Sequence, residues 1–459
     1  MNLKISECII RERKADMRYD LPVLKTNNES VNKAFRIAYS DIISNIVPAK
    51  SGLLDKESEV IYAGMGYESP WTRDTAINVS NCCGLLFPQI SKNTLLSVIN
   101  RGNMRVGGDY WDSVIWILGA WNYYLCTGDE DFLKSASVIG NNTLKFLEDT
   151  EFDENLNLFR GQACYGDGVS AYPDIYSKTG ESHINEFPKE YPELCADKGV
   201  GIPMHTLSTN CLYYQAYKIM AQISGDEYGR KAVSLKKAIN KYFWIEDKGY
   251  YRYIKDDFGN CDFMEGIGES FAVLFGVADE RQTKLIMENQ YITPNGIACV
   301  WPPFERYTRV GENEFGRHSG TVWPHIQAFW ADAAARNGYT DICGFEFDRM
   351  TEKALRDGHF AEIYHPTNGS LYGGVQEKNR RGIVRWDSQI KQTWSATGYI
   401  RIILFDIFGI RITKEEMTFQ PKKISGITEA EIRNISFKDK LIDLRLSGGK
   451  TEIVKERMR

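Results

Sequence analysis

Several features are scarce in this 459-residue sequence, and each scarcity narrows the field. There is no excess of positive charge: 56 Lys and Arg stand against 61 Asp and Glu, a formal net charge of −5. That balance provides no basic field for nucleic acid or for an anionic membrane surface. No uninterrupted apolar stretch approaches membrane-spanning length. The N-terminus, MNLKISECIIRERKADMRYD, has no apolar run ahead of its charges, so no signal peptide is expected. The ten cysteines include one adjacent pair, Cys82 and Cys83, but no C-x-x-C. Zinc ribbons and thioredoxin-like sites are therefore excluded, and reduced, cytoplasmic thiols are the expectation. No G-x-G-x-x-G follows a strand, and there is no Walker A loop or G-x-S-x-G elbow, which removes nucleotide cofactors and serine hydrolysis.

Aromatic side chains, by contrast, are plentiful. The 10 Trp, 25 Tyr and 22 Phe often stand beside Gly, Asp, Glu or His rather than inside apolar runs. Rings in polar company line binding clefts, where a flat face meets a ligand; a large core is the competing explanation. The length fits two or three domains, or one large toroid with an appendage.

Apolar residues at 3.6 spacing predict helices over 28–46, within 72–100, and over 111–126 and 131–147. Further helices are predicted over 207–223, 228–242, 267–275, 281–289, 322–337, 347–357 and 393–408. A loop of about fifty residues, 148–203, interrupts them, and loops of that length are usually functional. About a dozen helices with long loops predict a mainly α fold, an (α/α)6 toroid whose loops build a funnel at one end. After Gly409 the pattern becomes strand-like, with Ile442, Leu444 and Leu446 on one face. The expected division is an N-terminal extension (1–27), the barrel (28–412) and a small β-rich appendage (413–459).

Four loop regions carry chemistry. Tyr67 and Trp71-Thr72-Arg73-Asp74 precede a helix; the Arg–Asp pair offers donors and acceptors suited to a vicinal diol. An ion pair at a helix N-terminus is the structural alternative. Gly107-Gly108-Asp109-Tyr110-Trp111-Asp112 enters a nearly all-apolar helix, where a cap accounts for one Asp but not for two flanking two aromatics. Tyr165-Gly166-Asp167-Gly168 sets a carboxylate between two glycines, held by backbone, or else forms an ordinary Asp-Gly turn. The densest region runs from Gly316 to Trp394 and holds Arg317-His318, Trp323-Pro324-His325, His359, Glu362-Ile363-Tyr364-His365, Gln376 and Gln392-Thr393-Trp394. Its His pairs are not spaced to put two ligands on one helical face, so no metal site and no cofactor are expected. Carboxylates and aromatics in loops at one end of a toroid are the tools of glycoside cleavage.

In these motifs the sequence resembles the six-hairpin, (α/α)6-barrel glycosidases. It is nearest in pattern to glycoside hydrolase family 63, with family 15 glucoamylases and the glucosidase half of glycogen debranching enzymes as relatives. Trp71-Thr72-Arg73-Asp74 is similar to the W-x-R-D of glucoamylases, whose Arg and Asp grip the sugar in subsite −1. Glu362-Ile363-Tyr364 opens a segment similar to the one carrying the general base. His318 to Pro324 and Gln392 to Ala396 resemble late barrel helices of family 63 and debranching enzymes. The family's acid lies in a G-x-D-x-S-P-like loop; Asp167 matches it without the following Pro, and Asp174 is the reserve candidate.

The resemblance implies an inverting, exo-acting hydrolase of an α-glucoside or α-mannoside, with Asp167 as general acid and Glu362 as general base. Their carboxyls would stand roughly 6.5–9.5 Å apart, with water between. Tyr67, Trp71, Arg73, Asp74, Tyr110, Trp111, Asp112, Tyr165, His318, Trp323, Tyr364, Gln376 and Trp394 would bind substrate, an oligosaccharide or small glycoside. A glycoside phosphorylase, an epimerase or lyase on a related toroid, and a non-catalytic sugar-binding protein remain the alternatives. The sequence leaves the oligomeric state open.

Overall fold

The computed structural model describes residues 21–108 and 110–459. Residues 1–20 of the expected N-terminal extension, and Asp109, lie outside the described residues.

Among the described residues, twelve α-helices have seven residues or more. In chain order they are α1 (Glu29–Ser44), α2 (Thr72–Asn78), α3 (Pro88–Ser97), α4 (Asp112–Thr127), α5 (Glu130–Glu151) and α6 (Leu207–Ser224). Then come α7 (Asp226–Phe243), α8 (Gly266–Leu274), α9 (Glu280–Asn289), α10 (Pro324–Arg336), α11 (Thr340–Asp357) and α12 (Thr393–Arg401). The even-numbered helices each touch the next, and α12 returns to α2, closing an inner ring. The odd-numbered helices lie outside it, with α1 against α12. This is an (α/α)6 toroid.

The division into rings follows from the sequence. Every residue of α2 and α12 is buried, as is α10 up to Ala335, so these helices are covered on all sides. An outer helix such as α7 buries only one stripe, from Ala232, Leu235 and Ala238 to Ile239 and Phe243. Local signals set the ends. The Asn28 side chain accepts from the amides of Ser30 and Val31, and Asp279 and Gln282 form a capping box at α9. Where α4 crosses α2 there is no room for a side chain: a Cβ on Gly119 would lie 2.7 Å from the Ala76 Cα.

Two inner helices continue into π-helical turns, α2 through Val79–Cys83 and α12 through Ile402–Ile407. The predicted helix over 393–408 is therefore regular only to Arg401. The predicted 347–357 helix begins earlier, at Thr340, because a buried carboxylate hides its periodicity. Glu346 faces inward and accepts from the Ile297 amide at 2.9 Å and the Gln327 amide at 2.7 Å. The long loop is not featureless. After α5 it forms a short hairpin (Phe152–Asp153 with Leu158–Phe159), then 3-10 turns at Val169–Ala171, Asp174–Ser177 and Ile184–Glu186.

Beyond the toroid, β1 (Val23–Thr26), β2 (Ala430–Phe437), β3 (Lys440–Ser447) and β4 (Lys450–Met458) make one antiparallel sheet in that order. Ile442, Leu444 and Leu446 point into a core shared with Phe35 of α1 and Ile403 beyond α12. Val23–Thr26, just before α1, thus join the C-terminal sheet. The nine described cysteines are free. No helix among the described residues is long and apolar enough to cross a membrane.

Candidate active site

The N-terminal ends of α2, α10 and α12 and the loops above them border a cavity of about 220 Å³. Its wall includes eleven residues named from the sequence: Tyr67, Trp71, Arg73, Asp74, Tyr165, Asp167, His318, Trp323, Glu362, Gln376 and Trp394.

Three carboxyl groups face this space, and two of them, Asp167 and Glu362, each stand beside a different guanidinium. Asp167 sits in the long loop, and its backbone carbonyl accepts from the Ile184 amide at 2.9 Å. Gly168 packs closely here: a Cβ there would lie 2.2 Å from Gln376 Oε1 and 3.1 Å from the His318 ring, so a side chain would have to displace Gln376. Asp167 Oδ2 is 3.1 Å from Arg73 Nη1, and Oδ1 is 3.8 Å from His318 Nε2. Its side chain keeps 34% of its surface exposed, whereas the Glu362 side chain keeps 3%. Glu362 Oε1 accepts from the Tyr67 hydroxyl at 2.9 Å, and Oε2 meets Arg317 Nη2 at 2.7 Å.

Electrostatics separates the acidic groups. Burial raises the Asp167 carboxyl, but Arg73 together with His318, His183 and Arg317 outweighs it and holds Asp167 below the ordinary carboxylate range. Asp74 moves the other way: burial, reinforced by Glu362 and Asp112, raises it well above that range despite Arg73. Its Oδ1 is buried without a hydrogen-bond partner. Burial also keeps the Tyr67 hydroxyl protonated, so it remains a donor to Glu362. His318 is pushed down to about 3 by burial and is a neutral ring near neutrality. It stacks on Trp323 at 4.9 Å, and its Nδ1 meets Ser170 Oγ at 3.1 Å.

The floor is aromatic. Tyr165, with φ of 66°, packs edge-on against Trp111 (4.8 Å), His325 (4.2 Å) and Trp394 (5.6 Å). A non-glycine residue in the left-handed region costs backbone energy, and such strain clusters where a side chain must be aimed. Trp71, 40% exposed, stands at the mouth.

Four residues expected in the wall lie behind it. Asp112 is buried and pairs with Arg73 Nε at 2.9 Å, and Trp111 lies beneath the same guanidinium, 5.0 Å away. Both are drawn inward because they stand at the start of a helix that is buried almost throughout, and they lie against Arg73 behind the wall. Tyr110 packs on Tyr213 at 6.1 Å. The Tyr364 hydroxyl accepts from the Ala361 amide, with the Lys353 ammonium 4.5 Å from its ring. The reserve acid, Asp174, is 76% exposed and paired with Arg306, outside the cavity.

Other wall residues had no role assigned from the sequence: Arg317, Trp386, Ser182 and His183. Arg317 stood in a quoted motif, next to His318. Trp386, between Arg385 and Asp387, meets the criterion of a ring in polar company. Nothing in the local sequence marks Ser182 or His183. Among the described residues no cluster of three or more His, Cys, Asp or Glu is arranged to hold a metal ion.

Residues 204–395 match the family model described as the mannosylglycerate hydrolase MGH1-like glycoside hydrolase domain. The chain carries the six-hairpin glycosidase fold. Among solved structures, a sialidase is similar with a TM-score of 0.67 and 14% identity, over 94% of this chain and 40% of that one. A family 78 rhamnosidase of a Bacillus species is similar with a TM-score of 0.58 and 16% identity, over 95% of this chain and 41% of that one. The family 63 mannosylglycerate hydrolase from Thermus thermophilus, in complex with glucose, gives a TM-score of 0.58 and 13% identity, over 80% of this chain and 99% of that one. The chain thus spans about 40% of the first two structures. No curated protein matches the sequence. The matched domain and the shared toroid support a glycoside hydrolase.

Proposed function

We propose that this cavity hydrolyses an α-glycosidic bond at the end of an oligosaccharide or small glycoside, with inversion. Glu362 is the general base and Asp167 the general acid. The observation that carries this reading is that two residues far apart in sequence face one small cavity, each beside its own arginine. A cavity of about 220 Å³ suits a single terminal sugar. Arg73 and Asp74 would meet its hydroxyls, while Trp323 and Trp394 wall it. α-Glucoside and α-mannoside are the substrate classes that the resemblance implies, and the matched family model, named for a mannosylglycerate hydrolase, favours the second.

In the mechanism, the Glu362 carboxylate removes a proton from water as the oxygen attacks the anomeric carbon. The Tyr67 hydroxyl and Arg317 fix the orientation of that carboxylate. Asp167 protonates the departing oxygen as the glycosidic bond breaks. The Arg73 contact opposes this second step, because it favours ionised Asp167. A substrate whose hydroxyls engage Arg73 weakens that contact and frees Asp167 to hold its proton.

A second reading rests on Asp74, the buried carboxyl that retains its proton above the ordinary range. There Asp74 is the acid and Asp167 grips the sugar.

Proton NMR of the first-formed product, from a matched α-glycoside, tests the main reading. Inversion yields the β-anomer before mutarotation, and Glu362→Gln cuts turnover by orders of magnitude. A first-formed α-anomer would remove Glu362 from the role of activating water.

A further inference from the structure

A second cavity, also about 220 Å³, lies at the other end of the toroid axis. The inner helices show this directly. Asp74 near the start of α2 and Trp394 near the start of α12 face the carboxylate cavity. Val79, just past the end of α2, and Arg401, the last residue of α12, face the basal one. Each of the six inner helices, or the residues continuing it, contributes to its wall. Both π-helical turns found among the described residues border it, Val79–Cys83 and Ile402–Ile407. Such turns sacrifice regular helical bonding and frequently mark functional sites.

Its polar wall is rich in cations. Arg336, Arg401 and Arg411 all line it. Asp332 serves two of them: its Oδ2 is 3.0 Å from Arg336 Nη2 and 3.0 Å from Arg401 Nε. Asp406 lies 3.8 Å from Arg411 Nη2. Even with both carboxylates ionised, one positive charge is left over, and an uncompensated charge at a half-buried site is costly. Arg411 Nη1 donates to the Ile410 and Phe405 carbonyls, but Arg411 Nη2 is buried without a hydrogen-bond partner. Gln215 Oε1, also in this wall, is likewise buried and unpartnered. The Arg401 guanidinium is fixed between the rings of Phe329 (4.8 Å) and Phe405 (5.3 Å). Arg336, with 37% of its side chain exposed, stands at the solvent edge.

We propose that this basal cavity binds a small molecule through a compact oxyanion, a phosphoryl or carboxylate group. Arg411 Nη2 and Arg336 take the anion, and Gln215 Oε1 accepts from a hydroxyl on the same ligand. The site is separate from the carboxylate cavity and does not rest on the glycosidase reading. Its structural rival is that the surplus charge merely offsets the negative ends of the inner helices, in which case the cavity binds nothing.

Isothermal titration of the full chain with inorganic phosphate, and separately with malonate, at constant ionic strength with chloride as the balancing anion, decides between them. Saturable binding of at least one anion is expected. Arg411→Gln should weaken it by roughly tenfold or more, as loss of a charge-assisted hydrogen bond does, while Glu362→Gln leaves it unchanged. Saturation by phosphate alone assigns a phosphoryl group, by malonate alone a carboxylate, and by both their shared chemistry. If circular dichroism shows that Arg411→Gln does not fold, Arg336→Gln at the solvent edge is read in its place. The proposal is overturned if neither anion saturates, if the arginine variant binds as the wild type does, or if Glu362→Gln abolishes binding.

Discussion

Replacing Arg73 by glutamine tests whether the acid is the carboxyl that Arg73 holds ionised. The guanidinium is 3.1 Å from Asp167 Oδ2. At that distance two unit charges interact by about 5 kcal/mol at an effective dielectric of about 20, and by about 1.3 kcal/mol in water. A third of the Asp167 side chain is open to solvent, so the screened end of that range applies. A loss of about 1.4 kcal/mol raises the Asp167 pKa by about one unit.

The sign follows from the role. A general acid works in its protonated form, and the arginine depresses that form, so removing it extends protonated Asp167 to higher pH. For a bell-shaped kcat/KM profile the optimum lies midway between two apparent ionisations. It should therefore move up by about half a pH unit. The assay is the pH profile of kcat/KM on an aryl α-glycoside. Only the position of the optimum is used, so a weaker grip on the sugar does not interfere. Arg73→Lys keeps the charge and should leave the optimum in place. An optimum unmoved in Arg73→Gln would refute the assignment of the proton to Asp167.

Other consequences are simpler to read. Tyr67→Phe removes the hydroxyl 2.9 Å from Glu362 and should lower kcat by roughly tenfold with little change in KM, the worth of one hydrogen bond to a charged group; steady-state kinetics checks it. Gly119→Ala drives a methyl toward the Ala76 backbone and should cost about 1–3 kcal/mol of stability, seen as a lower midpoint in denaturant. Burial raises the Glu265 carboxyl to about 8. Its contribution to stability is therefore full below the unfolded-state pKa, about 4.3, and is lost as pH rises to about 8. Glu265→Gln should remove that dependence, giving a variant more stable than wild type at pH 8 and similar to it near pH 4.

Much of this architecture was written in local patterns. The Asn28 cap, the stripe on α7 and the nearly all-apolar α4 each declare a helix and the face it buries, and their alternation declares a toroid. Arg73, Asp167, Glu362 and Trp394 were visible as chemically distinctive side chains in loops or at helix starts. The division between wall and support was not visible. Asp112 and Trp111 carry the same chemistry as wall residues, and only the depth of α4 turns them toward the back of Arg73. The early start of α11 was hidden by the buried Glu346, and the π-helical turns have no sequence period of their own. His183 reaches the cavity because the long loop folds back on itself through the Val169–Ser182 and Ile184–Asp167 backbone bonds. Such long-range pairing leaves no local mark.

The most direct measurement is the leaving-group dependence of kcat/KM for Asp167→Asn. A good leaving group departs without a proton, so the loss of a general acid is felt least there. The account predicts a deficit of about 10²–10⁴-fold on a sugar or alkyl α-glycoside that nearly vanishes on a dinitrophenyl α-glycoside, while Asp74→Asn is impaired on both alike. An equal deficit for Asp167→Asn across the series, with the good leaving group rescuing Asp74→Asn instead, would contradict it.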